Sequence, residues 1–153
     1  MVEYIEIGVD IMLSAQSYID KIHDNRDYVF NHRLLRYRTD FSTYQDLKKN
    51  SESMIINLCK LVFVLSDIRF QGRSDNEIIR YVMTNYHFGS YISEYLDCFH
   101  NWVFFSQRND ERNKEKYLRA VVGYSEVIEN EIIDAFKLPL KYNLRTNFDR
   151  KRG

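Results

Sequence analysis

Four polar side chains that can bind an anion recur at helical spacing in the middle of the chain. They are Arg80, Thr84, His87 and Tyr91. Because residues three or four apart lie on one side of a helix, this spacing puts all four on a single stripe. A guanidinium offers a planar fork of donors to a carboxylate, a protonated imidazole adds a donor, and hydroxyls complete the set. The pattern therefore predicts anion binding.

The segment that carries this stripe, residues 78–105, is nearly free of charge. Its only full charges are Arg80, Glu94 and Asp97. A helix that is apolar on two opposite faces is normally buried on both. We therefore expect one long central helix in this region, with Gly89 allowing a neighbouring helix to approach closely.

A buried arginine needs a partner, because an unpaired guanidinium in a core costs several kcal/mol. Glu126 or Glu129 on another helix would satisfy Arg80 without any ligand, and so would a side chain that reaches outward to solvent. The functional alternative is a ligand carboxylate at the stripe, with its alkyl chain in an apolar tunnel. The predicted tunnel lining is Leu58, Val62, Met83, Phe99 and Trp102.

Composition restricts the class of protein. The 153 residues suit a single domain over 1–153. One proline and five glycines are too few for the turns of a β-rich fold, which favours an all-α domain. The 22 basic and 22 acidic side chains balance, so no net charge attracts nucleic acid or an anionic membrane. Cys59 and Cys98 lack metal-site spacing, and we expect both to be reduced and no metal to be bound.

The N-terminus and the apolar runs give no sign of export or membrane insertion. The longest fully apolar run, residues 61–65, is far too short to span a bilayer. The first ten residues carry acids where a secretory signal carries Lys or Arg. We therefore expect a cytoplasmic protein.

Apolar periodicity predicts five or six helices. Ser74 followed by Glu77 is a capping box that begins the long central helix, and a charged connection over 107–116 follows that helix. The predicted elements are helices at about 2–23, 27–38, 43–66, 77–106 and 112–137, with a break at 24–27, a loop at 69–76 and a flexible basic tail over 138–153.

The lengths and residue patterns of these helices resemble those of a known family. NEIIRYVMTNYHFGSYISEYLDCFHNW, a charged gap and KYLRAVVGYSEVIENEIIDAF look like the last two long helices of the haem-free globin-like sensor domains of Bacillus stress and sporulation systems. VFNHRLLRYRTDFSTYQDLKKNSESMIINLCKLVFVL looks like the preceding pair. The resemblance is strongest to the stand-alone, plasmid-borne sporulation inhibitors, which are similar to the sensor domain of a sporulation histidine kinase.

The resemblance implies a globin-like bundle that forms a homodimer, binds no haem or other cofactor and is not an enzyme. It implies a fatty acid in an internal tunnel, with its carboxylate beside an arginine and a chloride ion. It also implies that the protein restrains sporulation by competing for the signal of the kinase. Arg80 is the first choice for the arginine, and Arg36, near His32, is the second.

Three other functions remain open. A haem globin would need an iron-facing histidine, but His87 and His100 point to opposite sides of the predicted helix. Arg80 and His87 fit the loose Arg-x6-His pattern of all-helical HEPN ribonucleases, although Tyr81 stands where a polar residue usually follows the arginine. Twelve tyrosines and ten phenylalanines also suit a helical protein-interaction module.

Overall fold

The computed structural model describes residues 9–35 and 41–138, and these residues form five α-helices. Within the described ranges every regular element is helical, which confirms the all-α prediction. The helices are α1 (Val9–Leu35), α2 (Phe41–Leu65), α3 (Asp75–Asn85), α4 (Gly89–Ser106) and α5 (Glu111–Phe136). The predicted elements over 2–8, 36–38 and 139–153 lie outside these ranges.

The core forms where two helix pairs meet. The helix α1 packs mainly against α2, and α4 packs mainly against α5, while the short α3 contacts α2 and α4. Apolar residues at intervals of three or four face this core from each long helix, so each helix buries one stripe. Fully buried examples are Ile19 and Ile22 on α1, Leu58 and Val62 on α2, Ile92 on α4, and Ile128 and Ile132 on α5. No helix of the described ranges is long and apolar enough to cross a membrane.

Contacts between α2 and α4 show that these helices run antiparallel. The hydroxyl of Tyr95 donates to the backbone carbonyl of Ser51. Seven residues further along α4, the ring of Trp102 stacks on Tyr44, with centroids 5.4 Å apart. Because Tyr44 lies seven residues before Ser51, a step forward along α4 is a step back along α2. This orientation fixes which side chains share a level in the core.

The N-terminal helix does not break where the sequence predicted. Residues 24–27, read as a break between two helices, lie inside α1. Asp and Asn are weak helix formers, but tertiary contacts can override propensity. Here Asn25 donates to Asn50 of α2 at 2.9 Å and accepts from Asn57 of α2 at 3.2 Å. These amide contacts pin the segment to α2 and compensate for its weak propensity.

The long central helix predicted over 77–106 is wrong, because the chain leaves helical geometry at residues 86–88. Tyr86 adopts an extended conformation with φ −125° and ψ 146°. The backbone of Gly89 then turns so close to α3 that a Cβ at this position would collide with the carbonyl oxygen of Met83. Phe88 is fully buried, and the Tyr86 hydroxyl is hydrogen bonded to Ser66 at 2.5 Å. Gly89 therefore allows a close approach, although the approaching segment is α3 and not a neighbouring long helix.

The capping box that begins α3 is confirmed. The amide of Glu77 donates to Ser74 Oγ at 3.2 Å, and the Ser74 amide donates to Glu77 Oε1 at 3.2 Å. The backbone hydrogen bond with Ser74 lowers the pKa of Glu77, with help from Ser74 Oγ. Both groups thus satisfy amides that the first helical turn would otherwise leave unpaired.

Replacing Ser74 with alanine removes this cap. We expect the free energy of unfolding to fall by about 1 kcal/mol, the usual cost of losing a serine N-cap. Urea denaturation followed by circular dichroism measures the change. Thr84→Ala, an exposed substitution within α3 that touches no cap, is the control and should change the stability little. Equal stability of Ser74→Ala and wild type would show that the box is not formed in solution.

Candidate functional site

A layer of polar side chains crosses the middle of the apolar core. Its centre is Arg26 of α1, whose side chain is 1% exposed. One guanidinium nitrogen, Nη1, forms an ion pair with Oε2 of Glu129 on α5, which is fully buried. The same guanidinium donates from Nε to Ser125 Oγ at 3.2 Å and from Nη2 to the Ser125 carbonyl at 3.3 Å. Ser125 and Glu129 are four residues apart, so one face of α5 receives the whole arginine.

Two more helices contribute to the layer. Tyr95 of α4 is fully buried, and burial raises the pKa of its phenol. The phenol therefore stays protonated and donates to the carbonyl of Ser51 on α2, which is also fully buried. The positive charge of Arg26 lowers the pKa of Tyr95 and so opposes the larger effect of burial. We name Arg26, Ser51, Tyr95, Ser125 and Glu129 the polar layer.

The polar layer separates two apolar parts of the core. Phe99 and Trp102 follow Tyr95 along α4, and their side of the layer contains Tyr44 of α2. Leu58 and Val62 follow Ser51 along α2 in the opposite direction, because α2 and α4 are antiparallel. Buried apolar residues therefore lie on both sides of the level at which the buried charges occur.

The residues of the predicted anion stripe do not lie in the core. All four of its members are exposed: Arg80, Thr84, His87 and Tyr91. The expectation that they share a buried helical stripe is wrong for two physical reasons. The break at 86–88 divides them between α3 and α4, and each of these helices turns its apolar face inward. His87 instead approaches Glu131 of α5, with 3.2 Å between Nε2 and Oε1, at the surface.

The predicted tunnel residues are largely core residues. Leu58 and Val62 are fully buried, Phe99 and Trp102 nearly so, and Met83 is half-buried. They do not form one continuous wall, because the polar layer separates the pair on α2 from the pair on α4.

The remaining candidates lie at the surface or outside the described ranges. His100 is exposed and lies against Phe99, with ring centroids 5.9 Å apart. The backbone of His32 belongs to α1, whereas Arg36 falls outside the described residues. In the described part of the chain, no group of three or more His, Cys, Asp or Glu side chains could hold a metal ion.

Sequence reasoning missed Arg26 because the surrounding DNRD was interpreted as a helix break. A signal was present in the apolar spacing. Ile19, Ile22, Arg26 and Val29 follow one another at three or four residues, so the arginine occupies a core position of the stripe. Glu129, named as a possible partner of Arg80, is a buried carboxylate on another helix. It serves Arg26 rather than Arg80.

The two cysteines should differ sharply in reactivity. Burial raises the pKa of both thiols, but Cys59 is fully enclosed in the core and Cys98 only partly. Since the thiolate is the reacting form, iodoacetamide should label Cys98 slowly and Cys59 only after unfolding. Intact mass spectrometry should show one adduct on the native protein and two in guanidinium. If both cysteines were labelled at equal rates without denaturant, the burial of Cys59 in the core would be contradicted.

No protein family, curated protein or solved structure matches the chain. The polar layer, with a fully buried guanidinium and its carboxylate partner, therefore stands as the candidate site on its geometry alone.

Proposed function

We propose that this chain is a non-enzymatic sensor or signal-sequestering domain that binds a fatty acid or a similar long-chain acid inside the bundle. The observation that carries the proposal is the fully buried guanidinium of Arg26 in an otherwise apolar core. Only an anion can neutralise such a group without large cost. In the structure Glu129 supplies that anion, and a ligand carboxylate or a chloride ion that takes its place at the guanidinium would supply the same charge.

Hydroxyl groups and apolar surface next to Arg26 support the same proposal. Tyr95 and Ser125 place hydroxyls in the polar layer, which suits the head group of an acid. Apolar side chains extend from the layer along α2 and α4. Burying about ten methylenes there would contribute roughly 8 kcal/mol before ordering costs. The acid thus has a polar end and an apolar path in one bundle, with Arg26 in the role first given to Arg80.

The proposal extends to assembly and biology through the resemblance to sporulation-related sensor domains. Under this proposal the protein is a cytoplasmic homodimer with the last two helices as its interface. It restrains sporulation by competing for the acid that a sensor kinase detects. Phe104 on the outer side of α4 is 44% exposed, which favours a contact there. Light scattering at micromolar concentration should give a dimer, and Phe104→Glu should give a monomer. A wild-type monomer would overturn the dimer.

The decisive experiment for the ligand is denaturing extraction of the purified protein followed by mass spectrometry, with an absorbance spectrum of the same sample. We expect one long-chain acid per chain and no Soret band. The delipidated protein should then bind added palmitate. Absence of acid from the extract, together with absence of palmitate binding, would overturn the proposal.

Variants distinguish the polar layer from the surface stripe. Arg26→Lys keeps a positive charge but loses the planar fork, so palmitate affinity should fall at least tenfold. Arg80→Ala and His87→Ala remove exposed groups and are the matched controls, with affinity expected within twofold of wild type. Loss of binding in the control variants, with the affinity of Arg26→Lys unchanged, would assign the acid-binding site to the surface stripe.

A further inference from the structure

A cleft of about 380 Å³ opens at the surface between the start of α1 and the connection that follows α2. Its walls include Asp10 and Tyr18 of α1 and Asp67, Ile68, Arg69 and Phe70 of the connection. The cleft is open to solvent, and its volume is at the low end of the roughly 300–1,000 Å³ of small-molecule sites. None of these side chains belongs to the polar layer, so the cleft is a separate feature.

Three charged residues of both signs line this cleft. They are Asp10, Asp67 and Arg69. Within residues 9–35 and 41–138, these three groups make no ion pair or side-chain hydrogen bond. A ligand that carries one positive and one negative group would therefore find both partners available.

Asp67 occupies the C-terminal cap of α2, a position that glycine would fill at lower cost. Asp67 has a left-handed backbone conformation, with φ of 56°, just after the end of α2. Its amide donates to the Val64 carbonyl at 3.1 Å, and the amide of Ile68 donates to the Phe63 carbonyl at 2.8 Å. Glycine is the usual residue in such a cap, because a side chain disfavours positive φ. A negative charge is also disfavoured at a helix C-terminus.

The other non-glycine residues with positive φ suit their positions better. Asn109 after α4 is a residue type that tolerates this conformation, and Lys137 after α5 places a positive charge at a helix C-terminus. Aspartate, like asparagine, tolerates this conformation, so what sets Asp67 apart among the described non-glycine residues with positive φ is its negative charge at a helix C-terminus. Residues that break local rules in this way concentrate at functional sites.

Aromatic rings supply an apolar wall beside the charges. Tyr18 and Phe70 meet edge to face, with centroids 6.1 Å apart. Two lysine ammonium groups lie over the same rings. Lys21 Nζ is 4.8 Å from the centroid of the Tyr18 ring, and Lys60 Nζ is 5.5 Å from that of the Phe70 ring. The cleft therefore offers an apolar wall of two edge-to-face rings, beside the three charged residues that line it.

We propose that this cleft binds a free α-amino acid with an apolar or aromatic side chain. The ammonium group pairs with Asp67 and Asp10, the carboxylate pairs with Arg69, and the side chain packs against Tyr18, Ile68 and Phe70. Binding is non-covalent and does not depend on the function proposed above, because the two sites share no residue.

The test is calorimetric titration of the full chain with L-phenylalanine and with L-leucine. At least one should bind, and N-acetyl-phenylalanine amide, which lacks both charges, should bind the same protein at least tenfold more weakly. Failure of both amino acids to bind at millimolar concentration would overturn the proposal. Equal binding of the uncharged amide would overturn the assigned role of the charges.

Two glycine substitutions separate a ligand-binding role from a structural one. Asp67→Gly should raise the melting temperature by about 2–4 °C, because it relieves the backbone and charge costs, and should weaken amino acid binding at least tenfold. Asn109→Gly changes the matching position after α4 and should leave affinity unchanged. Undiminished affinity in Asp67→Gly, or a lower melting temperature in that variant, would contradict the proposal.

Discussion

Replacing Arg26 with methionine should lower the free energy of unfolding by about 3–5 kcal/mol. The variant leaves the Glu129 carboxylate buried without its counter-charge, and removing one partner of a buried ion pair has a cost of this size. It also removes the hydrogen bonds that Arg26 donates to Ser125 Oγ and to the Ser125 carbonyl. Guanidinium denaturation monitored by circular dichroism and by the fluorescence of Trp102 measures the loss.

A thermodynamic cycle separates the ion pair from the packing. Glu129→Met alone should be destabilised to a similar extent, because it leaves the guanidinium buried and unpaired. The double variant Arg26→Met/Glu129→Met should be more stable than either single variant, since apolar replacements of a whole buried pair are often neutral or stabilising. Additive losses would mean that the two side chains do not interact in the folded protein.

The second large effect is expected at Gly89. Adding a Cβ at this position brings it into the carbonyl oxygen of Met83, and a backbone atom cannot move aside as a side chain can. Gly89→Ala must therefore shift α3 against α4. We expect a loss of about 3 kcal/mol, at the upper end of the usual cost of overpacking a core. Thermal and urea denaturation should both report the loss.

Gly123 provides the matched control. It lies within α5, and a Cβ added there meets no atom within 4 Å. Gly123→Ala should raise the stability by about 0.5–1 kcal/mol, because alanine is the better helix former and no contact opposes it. If Gly89→Ala were as stable as Gly123→Ala, the tight junction between α3 and α4 would not exist in solution.

Helices with a clean stripe and clear end signals could be predicted from the sequence. The extents predicted for α2 and α5 agree with the structure to within two residues, and the capping box of Ser74 and Glu77 lies where it was expected. Apolar spacing and capping chemistry are local properties, so neighbouring residues alone determine them.

Features that depend on contacts between distant segments could not be predicted. Residues 24–27 include three weak helix formers, and the contacts of Asn25 with α2 and of Arg26 with α5 stabilise the helix through this segment. Residues 86–88 show the reverse, since helical periodicity continues through a segment that packing bends. The predicted position of the candidate site was wrong for the same reason. Arg80 and Arg26 are both arginines near an apolar stripe, and only the tertiary arrangement shows which one is enclosed.

The polar layer also determines the lengthwise register of the bundle. Apolar stripes alone would permit one helix to slide along another by a turn, about 5.4 Å, with similar burial. Such a slide of α1 along α5 would separate Arg26 from Glu129 and leave two opposite charges apart in the core. A slide of α1 along α5 would therefore have to break the ion pair between Arg26 and Glu129 before either charge could reach another partner.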